Sequence, residues 1–236
     1  MSSDALLARD QVMRFLRFIS GIVADLEVVG HENVPDQGAY ILTASHISRL
    51  DTPFLMLSTS RKDIIAMVAT DYLNSPLGGI LKKLGVIWIN REGYDFEAFR
   101  EATAFLKKGG IVGLAPEGRR SKDGQLLEGK AGAALLALRN KVPIIPAVVL
   151  GSADMVKSFL RLKRMQVKVI FGKPFELPQP EAGQNEKDIL EMGITEIMCR
   201  IAALLPEERR GFYRDHPRLQ VLLAEQATII NEEEQQ

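Results

Sequence analysis

The chain has 236 residues, 46% of them hydrophobic and 25% charged, an ordinary globular composition with enough length for one substantial core. Thirty basic residues balance thirty acidic ones, which argues against a general nucleic-acid binder. The single cysteine, Cys199, excludes an internal disulfide, and with only three histidines no metal-ligand cluster is expected.

In chain order, residues 5–24 carry Val12, Phe15, Leu16, Ile19, Ile22 and Val23 at helical spacing, predicting an amphipathic helix. Arg9, Arg14 and Arg17 are placed to meet anionic headgroups if that helix lies in a membrane interface. A first helix packed on the domain's own core fits equally well. The apolar stretch over 12–23 is interrupted by Arg14 and Arg17 and precedes no small-residue cleavage site, so no secretory signal is expected. No apolar run approaches the roughly 18 residues of a spanning helix. The chain is therefore expected in the cytoplasm, free or lying on a membrane.

Strands are predicted over 38–43, 64–69, 86–89, 111–114, 142–150 and 167–171. Helices are predicted from Asp51, taken as an N-cap, and over 75–84, 95–108, 130–140, 188–205 and 217–230. The alternation gives one α/β domain with a central, mostly parallel sheet flanked by helices. The run over 142–150 is almost wholly apolar, as a strand buried on both faces requires. Cys199, beside Ile197, Met198 and Ile201, reads as a packed thiol. The tail over 231–236 is charged and expected to be disordered.

Four stretches carry candidate chemistry. Ser45-His46-Ile47-Ser48-Arg49-Leu50-Asp51 follows the first of these strands. A strand–loop–helix corner there can fold Asp51 back onto the imidazole of His46, holding its tautomer while it takes a proton from a hydroxyl. Taken alone, His46 and Asp51 fit a plain loop and helix cap as well. Arg91 ends Gly85-Val86-Ile87-Trp88-Ile89-Asn90-Arg91, just past another strand. Glu117, Gly118, Arg119, Arg120 and Ser121 follow Leu114-Ala115-Pro116 in the same way. Arg91 and Arg120 have the forked geometry that suits a phosphate. The fourth stretch, Val142-Pro143-Ile144-Ile145-Pro146, is an apolar strand with two prolines.

Together and in this order, the four stretches closely resemble the motifs of the glycerolipid acyltransferase family, over roughly residues 30–175. His46 and Asp51 match its His-x-x-x-x-Asp motif, with Ser45 in place of the usual asparagine. Gly85, Ile89 and Arg91 match the second motif, with Trp88 as its aromatic. Pro116, Glu117, Gly118, Arg120 and Ser121 match the third, which departs at Ala115 and Arg119. Val142, Pro143, Ile144 and Pro146 match the fourth.

The resemblance implies that His46 acts as general base, Asp51 orients it, and the acceptor hydroxyl attacks an acyl thioester directly. It implies that Arg91, Glu117, Gly118, Arg120 and Ser121 bind the glycerol phosphate portion of the acceptor, and that Pro143 shapes the acyl or acceptor site. The expected division is an N-terminal helix over 1–30 with membrane contact, an acyltransferase domain over 31–230 and the tail over 231–236. The expected enzyme works at the cytoplasmic side of the membrane as a peripheral or monotopic protein, with no cofactor and no metal. Its donor is acyl-CoA or an acyl carrier protein thioester, and its acceptor a lysophospholipid, foremost 1-acyl-glycerol-3-phosphate. A glycolipid, an ornithine lipid, another lysophospholipid or a non-catalytic lipid-binding role are the alternatives.

Gly124 to Lys130 imitates the start of a Walker A loop, but Ala131 stands where the hydroxyl belongs and no strand precedes it, so nucleotide binding is not expected. No Gly-x-Ser-x-Gly elbow is present. Lys157, Arg161, Lys163, Arg164, Lys168 and Lys173 form a basic run that fits either anionic headgroups or an acidic carrier, or else an ordinary solvated face.

Overall fold

The computed structural model describes residues 3–91, 93, 95–154, 158, 163–181 and 183–233. Helix α1 (Ser3–Val23) leads directly into strand β1 (Ala24–Val29), which the helical periodicity running up to it had hidden. The remaining elements are β2 (Tyr40–Ala44), α2 (Asp51–Leu57), β3 (Ile64–Ala69), α3 (Gly78–Leu84), β4 (Ile87–Ile89), α4 (Phe96–Leu106), β5 (Ile111–Leu114), α5 (Gly132–Asn140), β6 (Ile144–Leu150), β7 (Met165–Phe171), α6 (Glu186–Ala203) and α7 (Pro217–Glu233). Of the tail over 231–236, residues 231–233 form the end of α7, and 234–236 lie outside the described residues.

Seven strands form one sheet in the order β1-β7-β6-β2-β5-β3-β4. β6, β2, β5, β3 and β4 run parallel; β7 is antiparallel to β6 and carries β1 parallel to itself at the edge. The expected single α/β domain with a mostly parallel sheet is what forms. β6 shows why its sequence is apolar throughout. Ile144 and Val148 pack into the core shared with α4, α5, α6 and α7, while Ile145, Ala147 and Val149 pack into the core beneath α1 and α2. Burying both faces leaves no position for a polar side chain.

Helix α1 is more firmly docked than its sequence suggests. Val12 and Met13 pack against the core on that side. Arg9, expected at a lipid headgroup, is buried at 6% exposure instead. Its guanidinium donates to the carbonyl of Leu84 at 3.0 Å, at the C-terminal end of α3, and to the carbonyl of Ile64. Both carbonyls end or begin an element and lack a regular partner there, and the helix end also favours a cation. Burial pushes the Arg9 pKa down, with the charges of Asp10 and Asp63 opposing that shift.

The basic run beyond β6 is also altered. Lys157 and Arg161 lie outside the described residues. Arg164 pairs with Asp25 at 3.0 Å and Lys168 with Glu27 at 2.7 Å, so these two cations bind acids on β1 and do not form an open basic surface.

Replacing Arg9 by alanine leaves two buried carbonyls without a donor. Arg9→Ala is expected to lower the unfolding free energy by about 2–3 kcal/mol, whereas the exposed Arg14→Ala stays within about 0.5 kcal/mol. Urea unfolding of the three proteins measures this.

Candidate active site

The loops that follow β2, β3, β4, β5 and β6 leave the sheet at one end, the carboxyl end of its parallel strands, where open α/β sheets form their crevices. His46 follows β2, Asp71 follows β3, Arg91 follows β4, Glu117 follows β5 and Ser152 follows β6. Because β2 lies between β5 and β6, the His46 loop has the Glu117 loop on one side and Ser152 on the other.

His46 Nδ1 lies 3.2 Å from Asp51 Oδ2. The same oxygen accepts the backbone N–H of Ile47 at 2.8 Å and of Ser48 at 2.7 Å. Asp51 is therefore not the cap of α2. Its carboxylate reaches back over its own loop, and Leu50 takes the N-cap position with no side-chain cap. An ionised carboxylate only accepts, so the network assigns the ring proton to Nδ1 and leaves Nε2 able to take one. Asp51 is buried, while the His46 side chain keeps 23% of its surface open.

The backbone of His46 is held as well. Its N–H donates to Glu117 Oε1 at 2.8 Å, and its carbonyl accepts the N–H of Ser121 at 2.8 Å. The other Glu117 oxygen, Oε2, accepts the N–H of Leu127 at 2.9 Å. Glu117 is 2% exposed, and burial pushes its pKa up against the two backbone donors and the nearby His46. Glu117 and Ser121, expected among the acceptor's ligands, are thus turned into the fold. The Ser121 hydroxyl donates to Asp123 at 2.8 Å. The Gln125 N–H, foremost, and the Ser121 hydroxyl hold the Asp123 carboxyl below its usual range. Clamping on a neighbouring loop needs the same residue types as substrate binding, which is why the motif alone does not separate the two roles.

The cations group around Gly118. Arg91 donates to the Gly118 carbonyl at 3.0 Å and pairs with Asp71. Gly118 has φ +66, and a Cβ there would stand 3.0 Å from Cδ of Lys130, so the lysine stem passes directly over it. Arg119 and Arg120 are exposed on the same loop. Lys130 was not singled out in the sequence, where it follows Gly129 without a motif of its own.

Pro143 is not brought to this site. It precedes β6, whose Ile144 pairs with Ile41 at the opposite end of β2, and roughly 13 Å of strand separates it from Ala147 beside Ala44. The Pro143 carbonyl accepts the Ile41 N–H, a sheet contact. The C-terminal segment, by contrast, contributes support that no motif marked. Leu126 N–H donates to Arg209 O, Phe212 N–H donates to Leu126 O, and Gly129 N–H donates to the Tyr213 hydroxyl, each at 3.0 Å.

A cleft of about 590 Å³ lies elsewhere, lined by Asp36, Gly38, Ser60, Arg61, Asp63 and Lys108 at the amino ends of the strands. Arg61 there is already bound by Asp63 and by the carbonyls of Gly38 and Gly109. The cleft holds none of the candidate site residues. Among the described residues no cluster of His, Cys, Asp and Glu is arranged to hold a metal ion. Cys199 is fully buried and its thiol is pushed up to about 11 by burial, as a packed thiol should be.

A family model described as Acyltransferase matches residues 25–150. The 1-acyl-sn-glycerol-3-phosphate acyltransferase of Bacillus subtilis is 27% identical over 196 residues, covering 80% of this chain and 96% of that protein. The protein of the same name from Borreliella burgdorferi is 29% identical over 125 residues, about half of each chain (52% and 50%). Among solved structures, the 1-acyl-sn-glycerophosphate acyltransferase of Thermotoga maritima aligns with a TM-score of 0.58 over 78% of this chain and 74% of that one. At 23% identity it shares the fold.

The raised Glu117 pKa has a stability consequence whose sign is fixed. The folded state keeps the proton at pH values where the unfolded chain, at the ordinary glutamate value of 4.5, has lost it. Stability from this group is therefore full below 4.5 and is lost as pH rises towards the folded value. Wild type minus Glu117→Gln, compared by denaturant unfolding, is expected to fall across that window as pH rises. A difference that grows with pH contradicts the assignment.

Proposed function

Because the chain belongs to the acyltransferase family and is an O-acyltransferase, we propose that it moves a fatty acyl group from a thioester, acyl-CoA or acyl carrier protein, to the free hydroxyl of 1-acyl-glycerol-3-phosphate, giving phosphatidic acid, with His46 as general base. The observation that carries this reading is the His46–Asp51 pair, with the imidazole proton on Nδ1 and the backbone of His46 clamped on both sides. The names of the relatives from B. subtilis and B. burgdorferi support the acceptor.

Nε2 of His46 takes the proton of the acceptor hydroxyl as the oxygen attacks the thioester carbonyl. The new C–O bond forms, the C–S bond breaks, and the thiolate leaves with the proton returned from Nε2. Asp51 holds the ring and offsets the charge of the transient imidazolium. The acceptor's phosphate is bound by the cations around Gly118, namely Arg120 and Lys130 with Arg91 behind them. Glu117, Gly118 and Ser121 serve the reaction by shaping that loop. Arg119, where this chain departs from the family's usual residue, adds one more exposed positive charge to that loop, which fits an anionic acceptor.

The enzyme is proposed to work from the cytoplasmic face of a membrane. Phe15, Phe18 and Ile22 on α1 are each more than half exposed, and Arg14 and Arg17 stand among them. An apolar helix face flanked by arginines suits the headgroup region. Among the described residues no helix is long and apolar enough to cross a membrane.

Purified protein is expected to acylate 1-acyl-glycerol-3-phosphate with one or both thioesters, products being identified by mass. His46→Ala should lower kcat by about 10²–10⁴-fold. Equal turnover by that variant, or acylation only of another lysolipid from a panel, overturns the base or the acceptor respectively. Phe15→Asp/Phe18→Asp is expected to abolish flotation with vesicles of phosphatidylglycerol and phosphatidylethanolamine, and unchanged flotation removes α1 as the membrane contact.

A further inference from the structure

We infer that Ser152 is a positioning residue for the acyl transfer, acting on His46 through Asp51; the inference rests on the general-base reading above. Of the Asp51 oxygens, Oδ2 already accepts from His46, Ile47 and Ser48, all within its own loop. Oδ1 accepts from the Ser152 hydroxyl, 101 residues away in sequence. A carboxylate held at one oxygen can still swing about that point. Held at both, it presents Oδ2 to Nδ1 in one orientation.

Ser152 is itself fixed. Its carbonyl accepts the Ser48 hydroxyl at 3.1 Å, and the Ser48 oxygen accepts the Leu50 N–H at 3.2 Å. The ring of bonds thus closes from Ser48 to Ser152 to Asp51 and back to Ser48. Gly151 permits it. With φ +80, a Cβ at this position would lie 1.9 Å from the Gln166 carbonyl, so only glycine turns the chain to aim Ser152 at Asp51. Ser152 is 2% exposed, which leaves it no surface for substrate and separates it from a catalytic residue. Neither the family-matched span, which ends at residue 150, nor any motif includes it.

The test is steady-state kinetics of wild type, His46→Ala, Ser152→Ala, Ser152→Cys and Ser152→Thr with an acyl thioester and 1-acyl-glycerol-3-phosphate. Ser152→Ala is expected to lower kcat about tenfold with KM for both substrates within about twofold, the signature of a lost orientation and not of lost binding. Thr keeps the hydroxyl and should restore kcat; Cys, a weaker donor of similar size, should fall between and gives a reading if the alanine variant does not fold. Wild-type kcat in the Ala and Cys variants, or a rise in KM alone, overturns the inference while an inactive His46→Ala leaves the base assignment standing. A His46→Ala enzyme as fast as wild type overturns the base assignment and this inference together.

Discussion

The Asp51 carboxylate is the constraint on which the site depends. It is buried, and four donors converge on it: one ring nitrogen, two backbone N–H groups of its own loop and one hydroxyl from beyond β6. A buried charge is tolerated only when so satisfied, and here the same bonds orient the imidazole. The cost of burial and the orientation of the imidazole are met by one set of contacts.

That carboxylate could not be reached from both sides without the strand order. β2 sits between β5 and β6. One neighbour supplies Glu117 and Ser121 to grip the His46 backbone, and the other supplies Ser152 to the far oxygen of Asp51. The Glu117 loop is in turn tied to the C-terminal segment through Leu126, Gly129 and Tyr213. Residues well outside the matched family span therefore hold the loop that carries Arg119 and Arg120. The glutamate at that junction, its pKa raised by burial, binds the backbone of His46 directly.

Helix α1 has two unlike faces. Arg9 turns inward to two backbone carbonyls, while Phe15, Phe18 and Ile22 remain outside. A helix docked by a buried cation holds its orientation, so its exposed apolar face has a defined direction relative to the sheet.

The sequence by itself determined the approximate place of six of the seven strands, which depend on alternation and apolar runs, and made the His46–Asp51 pair readable through its place among four ordered motifs. The five-residue spacing alone fits a plain loop and cap as well. Arg91, Glu117, Gly118 and Arg120 were also legible as a set, because each stands just past a strand. Side-chain direction was not legible: Glu117 and Ser121 face inward, Pro143 stands at the far end of β6, and Arg9 lies under the helix it was expected to decorate. Edge strand β1 was hidden because the apolar period of α1 runs straight into it. Ser152 and Lys130 belong to the site only because strand order and direction carry them there. Pairing between strands a hundred residues apart is set by how the whole sheet packs, and no local pattern encodes which neighbour a loop will meet.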